Sequence, residues 1–144
     1  MPERNPSSWR RHFRYGLLLV PAMALGAAAC GAPAAREESA ASAGAAFEAA
    51  VASGDHVRAC GLLAPGTREQ LLQDERRPCP GALAAQGLPR THGVRTTEAY
   101  GRQALVRMAG DTLFLSLFDS GWKVVAAGCT ARPGRPYDCT LKGT

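Results

Sequence analysis

Beyond Pro89 the apolar side chains recur at every second position, and this change of period constrains the fold more than any other feature of the chain. Residues 94–100, 103–108, 112–118 and 122–127 each read as a strand, separated by Gly101, by Gly110-Asp111 and by Asp119-Ser120-Gly121. Connections this short join neighbours, so an antiparallel meander is expected. In the third strand Leu113, Leu115 and Leu117 share one face while Phe114 and Phe118 share the other. A strand apolar on both sides belongs at the centre of a sheet, or keeps one face partly open for a partner. Trp122 and Val124 continue an apolar face into the fourth strand, and the tail 132–139 is expected to return across the sheet end.

Upstream the period is helical. Phe47, Ala50 and Val51 fall on one helical face, and Ser53-Gly54-Asp55 then breaks the run and caps a second helix carrying Val57, Cys60 and Leu63. Pro65-Gly66 ends that helix. Thr67 with Gln70 three residues later forms a capping box, which predicts a third helix over 68–74 burying Leu71. Pro80 suits the first turn of a further helix through Ala82, Leu83 and Ala84, stopped by Gly87. The fold class is therefore expected to be α+β, with short N-terminal helices packed on a curved antiparallel sheet of about four strands.

The beginning of the chain speaks to compartment. Arg4, Arg10, Arg11 and Arg14 precede an uncharged run over 15–29. At about 15 residues that run suits a signal h-region and falls short of the roughly 20 needed to cross a bilayer. Pro21 and the small residues Gly26 to Ala29 fit a cleavage segment, and with Cys30 they resemble the bacterial lipobox. That resemblance implies cleavage before Cys30 and attachment of a diacylglyceryl thioether, usually with a further amide-linked acyl chain such as palmitate. Each buried methylene contributes about 0.8 kcal/mol, so two or three chains hold a protein at the membrane durably. The competing reading is an ordinary secreted protein cut near Ala27 or Ala29. Arg10-Arg11-His12-Phe13 also resembles the core of a twin-arginine signal, although Arg14 stands where an apolar residue is expected. General-secretory and twin-arginine export both stay open.

Four of the 17 basic residues and one of the 12 acidic residues lie in this leader, so the remaining chain carries a formal charge of only +2. Without a basic run or patch, no nucleic-acid partner is expected. Residues 31–45 consist almost entirely of Ala, Ser, Gly, Pro and a Glu pair, and read as a flexible tether. The expected organisation is a lipoprotein signal peptide over 1–29, a tether over 30–45 and one α+β domain over 46–144.

Cys60, Cys79, Cys129 and Cys139 lie in that domain. An exported chain places them in an oxidising compartment, where two disulfides are expected. Of the three pairings, Cys60 with Cys79 and Cys129 with Cys139 is favoured, because each pair brackets a turn-rich segment. The spacings are too wide for a zinc site, and His56 and His92 have no partner at zinc-finger spacing. No metal or other cofactor is expected.

Several local motifs carry a resemblance. Ser-Gly-Asp at 53–55, Ala-Cys-Gly-Leu-Leu-Ala-Pro at 59–65, Cys-Pro at 79–80, Gly-Trp-Lys-Val-Val-Ala-Ala-Gly-Cys at 121–129 and Pro-Tyr-Asp-Cys at 136–139 resemble a group of small actinobacterial lipoproteins of unassigned function. The order of helices before sheet is similar to that of the nuclear transport factor 2-like, or cystatin-like, superfamily. That likeness implies a cone-like domain, a fold that hosts enzymes and non-catalytic modules alike.

Isomerases, dehydratases and cyclases of such cones use an Asp, His or Tyr inside the cone, which here leaves His56, His92, Tyr100 and Asp111 as candidates. His56 and His92 sit at a helix boundary and in a loop, and Asp111 follows Gly110 where a hairpin turn favours that residue type. Tyr100 ends a strand, where packing with a wet hydroxyl is usual. No Ser-His-Asp arrangement or phosphate-cradling loop accompanies them, so no catalytic residue is assigned. The reading is a membrane-anchored, extracytoplasmic, non-catalytic binding or interaction module, lipidated at Cys30, with an envelope protein or a small apolar ligand as partner. Tyr100, Phe114, Phe118 and Trp122 are the candidate cavity lining. The alternatives are a small cone-fold enzyme and a secreted protein without lipid.

Overall fold

Helices precede strands throughout the computed structural model, which describes residues 33–143. The elements are α1 (Pro33–Ser53), α2 (His56–Leu62), α3 (Pro65–Glu75), α4 (Cys79–Ala85), β1 (Val94–Tyr100), β2 (Gln103–Met108), β3 (Thr112–Phe118), β4 (Gly121–Arg132) and β5 (Arg135–Lys142). The expected signal peptide and lipid-attachment site at Cys30 lie outside the described residues. No described helix is long and apolar enough to cross a membrane.

The strands form one antiparallel sheet in the order β1-β2-β3-β4-β5, with β3 at its centre. The expected α+β class is found, but the sheet has five strands rather than about four. The tail does more than cross the sheet end: β5 pairs antiparallel with β4, with Ala127 opposite Leu141 and Cys129 opposite Cys139, and the register shifts between Thr130 and Arg132. Helices cover one face. There Val106, Leu113, Leu115, Val124, Ala127 and Leu141 meet Phe47, Val51, Leu63, Leu71 and Leu83 in one apolar core. Burying each such side chain contributes about 1.5–3 kcal/mol.

The segment 33–45, expected as a flexible tether, is helical and forms the first turns of α1. Its small residues are what let the helix lie close on the sheet. Ala40 is wholly buried, and a Cβ added to Gly44 would come within 3.2 Å of Val106 Cγ1 and 3.4 Å of Leu113 Cδ1. A composition that lacks large side chains to bury is here used for close approach.

Asp55 caps α2 as expected, accepting a hydrogen bond from Arg58 N at 3.0 Å. The capping box at Thr67 is not formed. Helix α3 begins earlier, at Pro65, and Thr67 is instead buried and donates its hydroxyl to Val125 O at 3.0 Å. Pro65 supplies a preset φ and has no N–H to satisfy, so the helix starts without a side-chain cap. Thr67 serves the junction between α3 and β4.

Two disulfides staple the two halves. Cys60–Cys79 ties α2 to the start of α4, and Cys129–Cys139 links β4 to β5. This is the favoured pairing.

Candidate functional site

Helix α1 carries a carboxyl group into the interior. Glu48 follows Phe47 and precedes Ala50 and Val51, all buried, and is itself 2% exposed. Its Oε2 accepts a hydrogen bond from the buried Thr91 hydroxyl at 2.7 Å, while Oε1 has no hydrogen-bond partner. Thr91 is held by the β2–β3 turn, where a Cβ on Gly110 would lie 3.4 Å from its Cγ2. The same turn supplies Asp111, also buried. Burial first, then the charge of Asp111, pushes the Glu48 carboxyl up to about 7 from its ordinary 4.5, against the lowering effect of Thr91.

Asp111 is the anchor of this corner. Three backbone N–H groups donate to it: Thr112 and Cys129 to Oδ1 at 2.6 and 2.8 Å, and Gly128 to Oδ2 at 2.9 Å. Gly128 has φ +65° inside β4, a conformation that favours glycine, and a Cβ there would come within 2.9 Å of Thr140. Asp111 thereby fixes an irregular point of β4 beside the Cys129–Cys139 disulfide. Its residue type was legible as a turn former, but its burial and its long-range partners correct the reading of an ordinary turn residue. Glu48 and Thr91 were not identified from the sequence at all, since a glutamate within an alanine-rich helix reads as solvated.

The Glu48 carboxyl can hold or release a proton at the contact between α1 and Thr91. Surface hollows open elsewhere. His56 and Arg90 border one of about 250 Å³ beside Leu83 and Leu88. His92 is exposed in the loop before β1.

The sheet face away from the helices carries a second cluster. Leu105 pairs with Phe114, and Phe114 with Ala126, giving a half-buried apolar row. The Tyr137 ring meets Phe114 edge-on at 5.1 Å between centroids. Alongside, Glu98 accepts hydrogen bonds from Arg107 and, at 3.0 Å, from the Tyr100 hydroxyl. Arg107 and Tyr100 hold the Glu98 carboxyl below the usual carboxylate range, and Glu98 in turn raises the Tyr100 phenol.

The four residues expected to line a cavity are not brought together. Tyr100 is 69% exposed at the end of β1, and Phe114 lies under Tyr137. Phe118 borders a hollow of about 400 Å³ with Ser116, Val125 and Thr67. Trp122 is buried on the helix side, where its Nε1 donates to Ser39 Oγ at 2.9 Å. It floors an open hollow of about 410 Å³ with Leu117, Gly121, Ala35 and Arg36. The doubly apolar β3 thus buries its leucine face at Leu113 and Leu115 and leaves its phenylalanine face half covered.

Among the described residues no group of three or more His, Cys, Asp or Glu side chains is placed to hold a metal ion. No protein-family model, no curated protein and no solved structure matches the chain.

Proposed function

We propose that this protein is a membrane-anchored extracytoplasmic lipoprotein whose folded domain is a non-catalytic binding or interaction module. The observation that carries the reading is the pair of disulfides, one in each half of the domain, behind a leader ending at Cys30. Such staples are formed and kept in oxidising compartments, and an exported chain meets one. A non-catalytic role is supported by the placement of Glu48, the carboxyl best suited to acid–base work by its raised pKa, which is shut beneath α1. The half-covered row Leu105, Phe114 and Tyr137 offers an apolar surface for an envelope protein or a small apolar ligand.

Finer than its α+β class, we read the fold as a cone of the nuclear transport factor 2-like type. Support comes from α1, which lies along the sheet and packs against β1, β2, β3 and β4. The alternative of a small cone-fold isomerase, dehydratase or cyclase draws on the raised pKa of Glu48, and would require the contact between Glu48 and Thr91 to open to substrate.

Lipid labelling tests the anchor. The chain with its own leader is expected to incorporate radiolabelled palmitate in a lipoprotein-processing bacterium, and its Cys30→Ala variant none. Label retained by Cys30→Ala, or absent from the wild type, would refute the lipid anchor.

A further inference from the structure

We infer that the domain rests on the bilayer by one defined end, the end that holds the start of α1. The inference depends on lipidation at Cys30 as proposed above. Only Gly31 and Ala32 separate Cys30 from Pro33, where α1 begins. Even fully extended, those residues place Pro33 within about 10 Å of the anchored cysteine. The helix is no swinging arm either. Ser39 accepts the Trp122 indole N–H at 2.9 Å, Glu37 Oε1 accepts Ala99 N at 3.4 Å, and Ala40 is wholly buried. A leash so short, fixed to a helix so firmly built into the body, keeps this end at the membrane surface.

The same end gathers two hairpin turns. Leu117 N donates to Arg102 O at 2.8 Å, and Arg102 pairs with Asp119 at 3.6 Å, so the β1–β2 and β3–β4 connections lie side by side. Beside them sits the open hollow floored by Trp122 and Leu117, with Ala35 and Arg36 on its rim. Tyr100 closes β1 next to the β1–β2 turn at this same end, 69% exposed, with its hydroxyl directed to Glu98 on the sheet face away from the helices. An exposed tyrosine at this end is suited to the headgroup boundary, where amphipathic rings concentrate. Arg102 is paired with Asp119 and Arg107 with Glu98, and Arg36 is followed by Glu37 and Glu38, so this end carries no net positive charge and the contact does not need anionic lipid.

The opposite end provides the control. Helix α1 spans 21 residues, or about 30 Å, and Val57, 72% exposed, follows shortly after its C-terminus. Val57 and Tyr100 are both exposed large apolar residues, and they occupy opposite ends of the domain. Only Tyr100 is expected to meet lipid.

The test uses the full chain with its own leader, carrying p-benzoylphenylalanine in place of Tyr100 or of Val57, irradiated in intact bacterial membranes whose phospholipids bear radiophosphate. The thioether lipid carries no phosphate, so label on the protein reports contact with bilayer phospholipid. Labelling at Tyr100 is expected to exceed that at Val57 by roughly tenfold, as proximity enforced by a short link predicts. High salt should leave it unchanged. Intact mass spectrometry of the same samples reads Cys30. An acylated Cys30 with labelling equal at both positions, greater at Val57 or absent from both overturns the inference and leaves the anchor standing. An unacylated Cys30 overturns the anchor, and the inference with it.

Discussion

Replacing Glu48 with glutamine should make this protein more stable above neutral pH and leave it unchanged in mild acid. The carboxyl is raised from 4.5 to about 7 in the folded chain, chiefly by burial. Between those values the folded chain binds a proton that the unfolded chain has lost, so its stability falls as pH rises, by about 1.4 kcal/mol per pH unit. The stabilisation is complete below 4.5 and is lost once pH passes about 7. Summed over the window, the loss is about 2–3 kcal/mol, a large share of the stability of a small domain. Glutamine keeps a carbonyl to accept the Thr91 hydroxyl and adds an amide donor toward Asp111, while removing the ionisation. Urea titrations from about pH 5 to pH 8, followed by Trp122 fluorescence, measure the effect. Wild type should decline across this range, and Glu48→Gln should stay flat and exceed it by about 2–3 kcal/mol at the alkaline end. A flat wild-type profile, or a variant weaker than wild type at pH 8, would refute the account of the buried pair.

Other perturbations follow from the same corner and from the staples. Asp111→Ala strands the N–H groups of Thr112, Gly128 and Cys129 and should cost about 3 kcal/mol or more, read as a lowered denaturation midpoint. Gly128→Ala meets both a φ of +65° and Thr140 at 2.9 Å, and should cost about 1–3 kcal/mol in the same assay. Removing Cys60–Cys79, with its sequence separation of 19, should cost more than removing Cys129–Cys139, with its separation of 10. Loop entropy sets that difference at about 0.6 kcal/mol, measurable by comparing the two double-serine variants.

The legible parts of the fold were those where one physical signal dominates. Alternation of large apolar residues marked β2, β3 and β4, because each buries one face against the helices while the other meets water or a thin cover. Strand β5 lacked that signal. As the edge strand of Arg135–Lys142 it buries only Leu141, and its pairing depends on backbone hydrogen bonds and the Cys129–Cys139 link. The first turns of α1 were missed for the converse reason. Ala40 and Gly44 pack by being small, so a rule that looks for large side chains reads them as linker.

The candidate site was less legible, because its members meet across long stretches of chain. Glu48 and Thr91 are 43 residues apart, and Asp111 reaches Gly128 and Cys129 at separations of 17 and 18. Local pattern assigns Glu48 to solvent and Asp111 to a turn, and only the third dimension brings their carboxyls together. The four aromatic residues expected around one cavity show the same limit. Alternation along a strand gives the face of Phe114, Phe118 and Trp122 but not the depth at which each is covered.

The central claim is that a disulfide-stapled domain is carried at the membrane by Cys30. Non-reducing intact and peptide mass spectrometry of protein taken from the membrane fraction tests it most directly. The account predicts a diacylglyceryl-modified Cys30 at the N-terminus, with Cys60 joined to Cys79 and Cys129 to Cys139. An unmodified N-terminus beyond the leader, or free thiols at Cys60 and Cys79, would contradict it.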